Sequence, residues 1–169
     1  MLTQTDNHIE DHHTKDKMGR QQKWSDRTGL DNLKSIMDGK FPKHDAMGKM
    51  LNLDLVEVRE GVCIYEGTPL AVHLNPRMLV HGGWTMSILD AAAVLAVVTA
   101  LPKGKLCATS TFEVKFVRPI KAGTHCRAEG ELQSLGTNLA HAKASLVEVE
   151  TGNLLAFCTC SASLYDIDD

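Results

Sequence analysis

The chain has 169 residues, of which 43% are hydrophobic and 23% charged, and its formal net charge is −3. This length and apolar content suit a single domain whose core is large enough to fold without disulfides. The basic residues form no dense stripe, which argues against nucleic acid as a partner.

The cysteines predict a reducing compartment. There are five of them, an odd number, no C-x-x-C motif is present, and no charged-then-apolar signal peptide opens the chain. These features favour a cytoplasmic protein. Cys158 and Cys160 share one face of a predicted strand with no nearby histidine, so we expect them to lie in the core and expect no metal site.

Residues 1–28 are polar and show no periodic apolar pattern, which predicts a disordered N-terminal arm before a single domain of residues 29–169. From Gly29, apolar residues recur at helical spacing until Gly39, which predicts a short amphipathic helix. Residues 51–59 alternate in polarity, and a second run at residues 62–66 follows Glu60-Gly61; this pattern is typical of a β-hairpin.

A central helix is predicted from Gly83 to Ala100, because this segment is apolar almost all round and stops before Pro102. Ser87, Asp90 and the charged exit argue against insertion into a membrane. Burying an unpaired carboxylate is costly, so Asp90 indicates chemistry.

Four further strands are predicted at residues 108–117, 124–135, 139–149 and 154–165, with glycine or asparagine in the turns between them. Long antiparallel strands with one apolar face must cover something, and the helix is the element that can fill the concavity. The predicted fold class is therefore α+β, a curved antiparallel sheet of five to six strands wrapped around one long central helix.

Over about residues 30–165 the chain resembles the hotdog-fold acyl-CoA thioesterases, most closely the phenylacetic acid degradation type of the 4-hydroxybenzoyl-CoA thioesterase superfamily. The resemblance is carried by Leu74-Asn75, by His81-Gly82-Gly83, by Leu89-Asp90-Ala91 and by the strand that runs from Thr109 to Arg118-Pro119. It implies an acyl-CoA substrate, with coenzyme A as part of substrate and product and no separate cofactor.

The resemblance also implies a homodimer whose sheets join edge to edge, paired again into a homotetramer. Active sites would lie at the dimer interface, where Asp90 of one subunit faces Asn75, His81 and Gly82 of the other. Symmetric pairing would also cap the exposed edge strands.

Thioester hydrolysis needs an attacking oxygen and stabilisation of an oxyanion. Asp90 could activate a water or attack the carbonyl itself, and the residues do not separate these routes. Gly82 lies at the predicted helix start, where an unpaired backbone N–H can serve as an oxyanion donor. His81 either contacts the thioester carbonyl or fixes the loop by hydrogen-bonding a backbone carbonyl. Asn75 and Thr109 match family positions that orient the carboxylate or the water.

One departure from the family concerns the loop before His81, where Met78 stands in place of a usual glycine and makes the loop geometry less predictable. Met78 and Trp84 either line the acyl pocket or simply pack. The remaining predicted contacts to acyl group or coenzyme A are Gly83, Arg118, Gly136, Thr137 and Asn138.

Two rival functions remain open. A hotdog dehydratase or hydratase of acyl thioesters would need a paired acid and base at the α and β carbons, whereas Asp90 with Gly82 suits attack at the carbonyl. A non-catalytic acyl-CoA-binding module would have no use for a carboxylate in its cavity.

Overall fold

The computed structural model describes residues 14–15, 21–40 and 45–167. The predicted arm therefore lies largely outside the described residues. Packing onto the domain begins before the predicted boundary, however, at the short 3-10 helix Trp24–Asp26. The Asn32 side-chain amide donates to the Trp24 carbonyl at 2.9 Å, and the Gly104 N–H donates to the Ser25 carbonyl at 3.1 Å.

Within the described residues the chain forms three α-helices and eight strands. The helices are α1 (Gly29–Met37), α2 (Ala46–Leu51) and α3 (Gly82–Thr99). The strands are β1 (Thr14–Lys15), β2 (Gln21–Gln22), β3 (Leu53–Arg59), β4 (Val62–Gly67), β5 (Lys105–Phe116), β6 (Cys126–Leu135), β7 (Leu139–Glu148) and β8 (Leu154–Asp166). The predicted helices, hairpin and four later strands all occur, displaced by at most three residues at their ends.

Six of these strands form one antiparallel sheet in the order β3-β4-β6-β7-β8-β5, and β1 pairs only with β2 among the described residues. The predicted α+β class, with an antiparallel sheet around one central helix, is confirmed. Strands β3 and β5 are the two edges of the six-stranded sheet. A bulge interrupts the β5–β8 ladder between Thr109 and Thr111.

Helix α3 fills the concave face of the sheet. Ile88, Leu89, Ala92 and Ala96 are completely buried along it, and burying a side chain of leucine size stabilises the fold by about 1.5–3 kcal/mol. Gly130 of β6 allows the closest approach, because a Cβ at this position would lie 2.0 Å from the Ala92 carbonyl oxygen. By length and composition α3 could cross a membrane, but more than half of its residues are buried inside this domain.

Helix α2 was not predicted, since the sequence indicated only a loop before the β3–β4 hairpin. Asp45 caps its N-terminus by accepting the Gly48 N–H. Two side chains satisfy carbonyls at its C-terminal end: His73 Nε2 lies 2.9 Å from the Met50 oxygen, and Trp84 Nε1 donates to the Leu51 oxygen at 2.7 Å. Helix α2 is thereby held against α3, where it forms one wall of the cavity described below.

Candidate active site

The N-terminus of α3 presents an unused backbone donor. His81 is the N-cap residue, and its Nδ1 accepts the Gly83 N–H at 2.9 Å. The Gly82 N–H, by contrast, meets no acceptor within the part of the chain that the structure describes. It lies at the positive end of the helix dipole, where a developing negative charge is stabilised.

The hydrogen bond of His81 fixes its tautomer. Because Nδ1 accepts a hydrogen bond from the Gly83 N–H, the neutral imidazole carries its proton on Nε2. Nε2 is then a hydrogen-bond donor. The structure thus gives His81 a loop-fixing role, although the bond is to a backbone N–H and not to the predicted carbonyl. The same geometry leaves Nε2–H for a further acceptor.

Asn75 and Met78 shape the loop that leads into α3. Asn75 Oδ1 accepts the N–H groups of Arg77 and Leu79 at 2.9 and 3.3 Å, and its backbone N–H donates to the Leu79 carbonyl. Met78 has φ +61°, so it holds the left-handed conformation that a glycine would adopt without strain. Met78 thus holds a conformation suited to the glycine that is usual in the family at this position.

Asp90 lies on α3, eight positions after Gly82, and is half-buried. Its Oδ1 accepts a hydrogen bond from Thr109 Oγ1 at 2.9 Å, so the carboxylate is not the unpaired buried charge that the sequence indicated. The bulge after Thr109 turns the next residue away, and Ser110 Oγ donates instead to the Ser161 carbonyl. Thr109 thus orients the one carboxylate in the centre of the helix.

The cysteines beside Asp90 are protonated thiols. Burial, with the nearby negative charge of Asp90, raises the pKa of the Cys160 thiol to about 11. Burial is also the main cause that raises the pKa of Cys158 to about 12. Since the thiolate is the nucleophilic form, neither residue is prepared to attack a thioester.

Asp90 opens into a cavity of about 170 Å³ between α2, α3 and the β3–β4 hairpin. Its apolar walls come from α2, β3 and α3, and Ser87 is satisfied by donating to the Gly83 carbonyl at 2.8 Å. The lining residues are Asp45, Met47, Gly48, Leu51, Leu53, Tyr65, Ser87, Asp90 and Ala91. A carboxylate at the wall of an apolar cavity suits the hydrolysis of a bound acyl derivative.

A second cavity, of about 410 Å³, lies at the loop end of α3. It is lined by Asn75, Leu79, Val80, Gly82, Thr85, Phe116, Val117, Arg118, Pro119 and Ile120. Phe116 was missed at the sequence level: its side chain is 57% exposed, and a Cβ added to Gly82 would lie 3.2 Å from its ring. An exposed aromatic residue in a strand pattern gives no signal of this proximity, which depends on how β5 crosses α3.

The two cavities do not meet at one catalytic centre within the chain. Gly82 and Asp90 are separated by eight positions of helix, or about 12 Å at the usual rise per residue. A single thioester carbonyl cannot contact both groups of the same chain. Asn75, His81 and Gly82 are brought together at one end of α3, while Asp90 and Thr109 are brought together at its middle.

The other predicted binding residues are dispersed. Trp84 is 2% exposed, and it lies in the core without lining either cavity, so its side chain packs and does not form a pocket wall. Met78 is exposed and lines neither cavity, and the Gly83 N–H is already bound to His81. Arg118 lines the cavity beside Gly82 and donates to the Leu154 carbonyl at 2.6 Å.

The turn formed by Gly136, Thr137 and Asn138 lies on the Thr109 side of the site, whereas Arg118 lies beside Gly82. The Asn138 carbonyl accepts the Leu164 N–H, and Leu164 pairs with Cys107 two residues before Thr109.

Among the described residues no group of three or more His, Cys, Asp or Glu side chains could hold a metal ion.

Comparison with known proteins agrees with this architecture. The family described as Thioesterase superfamily matches residues 79–154, which include Gly82, Asp90 and Thr109. The match covers less than half of the chain, and the chain shares the hotdog fold with the solved structures that it resembles. The predicted resemblance to the thioesterase superfamily is confirmed.

Among its relatives, the acyl-coenzyme A thioesterase PaaI of Escherichia coli (strain K12) is 29% identical over 94 residues, or 56% of this chain. The chain thus spans about 65% of that relative's length. The solved structure of the E. coli PaaI protein from the phenylacetic acid degradation operon has a TM-score of 0.70 at 22% identity, covering 86% of this chain and 97% of PaaI. The protein smu.793 from Streptococcus mutans UA159, solved bound to acetyl CoA, has a TM-score of 0.63 at 17% identity, covering 70% of this chain and 92% of the other.

Proposed function

We propose that the protein is an acyl-CoA thioesterase, which hydrolyses an acyl-CoA to the free acid and coenzyme A. The observation that carries the proposal is Asp90, a carboxylate oriented by Thr109 at the wall of an apolar cavity. The named activity of its E. coli relative and the acetyl CoA bound to its S. mutans neighbour support a CoA thioester as the substrate.

In the proposed reaction the acyl group enters the cavity and its thioester carbon lies beside Asp90. Asp90 either takes a proton from a water that attacks this carbon, or attacks it directly to form a mixed anhydride that water then hydrolyses. In both routes the carbonyl oxygen becomes an oxyanion, the carbon–sulfur bond breaks and coenzyme A leaves as a thiolate. No cysteine of the chain is needed.

The oxyanion is assigned to the Gly82 N–H, which is unpaired in the described part of the chain and lies at the positive end of α3. His81 Nε2–H is a second donor in the same region, because its Nδ1 is occupied. Asn75 holds the loop through its side-chain oxygen, which leaves its amide NH₂ to orient the water or the carboxylate.

We assign each active site to two subunits of a homodimer. The separation of about 12 Å between Gly82 and Asp90 argues for this arrangement, since a partner subunit can present its own Gly82 to Asp90. Strand β5, which carries Thr109, is an edge of the sheet whose outer side has no partner strand among the described residues. Pairing of β5 with its copy would join the sheets and cap this edge. Two such dimers would form the proposed homotetramer.

Coenzyme A would then contact Arg118 and the turn of Gly136, Thr137 and Asn138. Arg118 supplies a cation for its phosphates, and the turn supplies the N–H groups of Thr137 and Asn138, because the Gly136 N–H already donates to the Leu139 carbonyl at 2.9 Å. These groups lie beside different halves of the site in one chain, so a dimer would combine one from each subunit. The free cysteines, all unpaired in this structure, favour a reducing cytoplasm as the compartment.

The proposal is tested by measuring thiol release from a panel of aryl-CoA and aliphatic acyl-CoA substrates with wild type and Asp90→Asn. We expect kcat/KM to fall by about 10²–10⁴-fold in the variant. Asp38→Asn, at an exposed ion pair with Lys40, is the matched control and should keep wild-type activity. Wild-type protein that binds acyl-CoA without releasing thiol would contradict the proposal and favour a binding module.

A further inference from the structure

Tyr65 is a buried polar residue that the proposed reaction does not use. It lies on β4, is 6% exposed and lines the Asp90 cavity. Its hydroxyl makes no hydrogen bond to the described residues, and it is not one of the fully buried polar atoms that lack a partner, so it stays accessible to solvent. A polar group that lines a cavity without a partner is satisfied only by what enters that cavity.

The other polar side chains of the cavity differ from Tyr65 in this respect. Asp45 accepts the Gly48 N–H, Ser87 donates to the Gly83 carbonyl and Asp90 accepts from Thr109. The remaining walls are apolar. When an acyl group displaces water from the cavity, the Tyr65 hydroxyl is therefore the polar wall group that is left without a partner.

The phenol remains protonated across the physiological range. Burial raises the pKa of Tyr65 strongly, and the neighbouring Cys63, Asp45 and Asp54 add to this effect. A neutral hydroxyl both donates and accepts one hydrogen bond, so it can pair with an alcohol or a carbonyl of a ligand. It cannot act as a phenolate nucleophile.

The small size of the cavity favours a short acyl group. Its volume of about 170 Å³ is below the usual range of sites for drug-sized ligands. Helix α2 forms one wall of this cavity, and it is fixed in position because His73 and Trp84 hydrogen-bond to its last carbonyls.

Resting on the proposed thioesterase function, we infer that Tyr65 is a specificity residue that favours short acyl groups bearing a hydroxyl or carbonyl over apolar groups of the same size. An apolar acyl group would leave the Tyr65 hydroxyl unpaired and desolvated, whereas a hydroxylated one would pair with it. Sites that hydrogen-bond a substrate hydroxyl reject the analogue that lacks it for this reason.

The test compares kcat/KM for ω-hydroxyacyl-CoAs of three to six carbons with their isosteres, in which a methyl group replaces the hydroxyl. Wild type should prefer the hydroxylated member by about tenfold at the chain length that reaches Tyr65. Tyr65→Phe keeps the ring and should reduce this preference to within about twofold. Tyr165→Phe, the same chemical change at an exposed tyrosine outside the cavity, should retain the full preference.

Equal rates for both members at every length in wild type, or an unchanged preference in Tyr65→Phe, would overturn the inference while leaving the thioesterase proposal intact. The wild-type comparison decides the matter by itself if Tyr65→Phe does not fold. Failure of wild type to hydrolyse any acyl-CoA would overturn both proposals, and so the two failures are distinguishable.

Discussion

The loop end of α3 and its middle are held in place by different kinds of contact. The donor half of the proposed site consists of Asn75, His81 and Gly82, and its hydrogen bonds join residues two to four positions apart. The acid half consists of Asp90, Thr109 and the cavity beside them. Its main hydrogen bond joins residues 19 positions apart, from a helix to a sheet edge.

This difference shows how each half can fail. The donor half depends on backbone N–H groups and loop conformation, so it is sensitive to glycine and proline substitutions and tolerant of many side chains. The acid half depends on side-chain atoms that three elements bring together, so it is sensitive to the removal of single polar groups. Substitutions in each half therefore distinguish the dependence on backbone N–H groups from the dependence on single side-chain groups.

Beyond Asp90→Asn, Gly82→Pro should have the largest effect, because it removes the N–H assigned to the oxyanion. Proline is accepted at the first helical position, and the preceding His81 already has extended backbone with ψ 136°. We expect kcat for acyl-CoA hydrolysis to fall by about 10²–10³-fold. Gly82→Ala is the control, since it adds the same Cβ beside Phe116 but keeps the N–H, and an equal loss in both variants would refute the oxyanion assignment.

Mixing Asp90→Asn with Gly82→Pro should restore activity if the halves belong to different subunits. Half of the re-formed dimers would contain both variants, each with one intact site, so roughly a quarter of wild-type activity should return. Mixing Asp90→Asn with Asp90→Ala, both in the acid half, should restore nothing. A mixture of the first pair that stays inactive after verified subunit exchange would place both halves in one chain.

Thr109→Val should lower kcat by about tenfold, because it removes a hydrogen bond to a charged carboxylate while keeping the side-chain shape. Thr109→Ser, which retains the hydroxyl, should recover most of the rate. Thr159→Val, at an exposed threonine of β8, controls for the change of residue type. A Thr109→Val enzyme of normal kcat would show that Thr109 does not position Asp90.

Met78→Gly should have the smallest effect and should act on stability. Glycine removes the strain of the left-handed conformation at φ +61°, which stabilises the folded state by about 1 kcal/mol. The greater conformational entropy of glycine in the unfolded chain offsets part of this gain. We expect the Tm to rise by about 1–3 °C in thermal unfolding. Arg77→Gly, one residue earlier and without positive φ, should lower the Tm, and a parallel fall in Met78→Gly would contradict a strained Met78.

Much of the fold was decided locally and could be predicted. The all-round apolar run of α3 and the alternating strands depend on residues close in the chain, and they occur within a few residues of their predicted bounds. The donor half is equally local. His81, Gly82 and the helix start were therefore found from the spacing of the motif, and with Asp90 they indicated the resemblance to the thioesterase superfamily.

Tertiary structure decided what depends on residues far apart in the chain. Helix α2 has six residues and no long apolar pattern, and side chains from His73 and Trp84 hold its end. The pairing of Thr109 with Asp90, the Phe116 ring beside Gly82 and the exposure of Tyr65 to the cavity all require the sheet to curve around α3. A linear pattern reports periodicity and propensity, whereas these contacts arise from packing, and only the folded chain determines which distant groups it brings together.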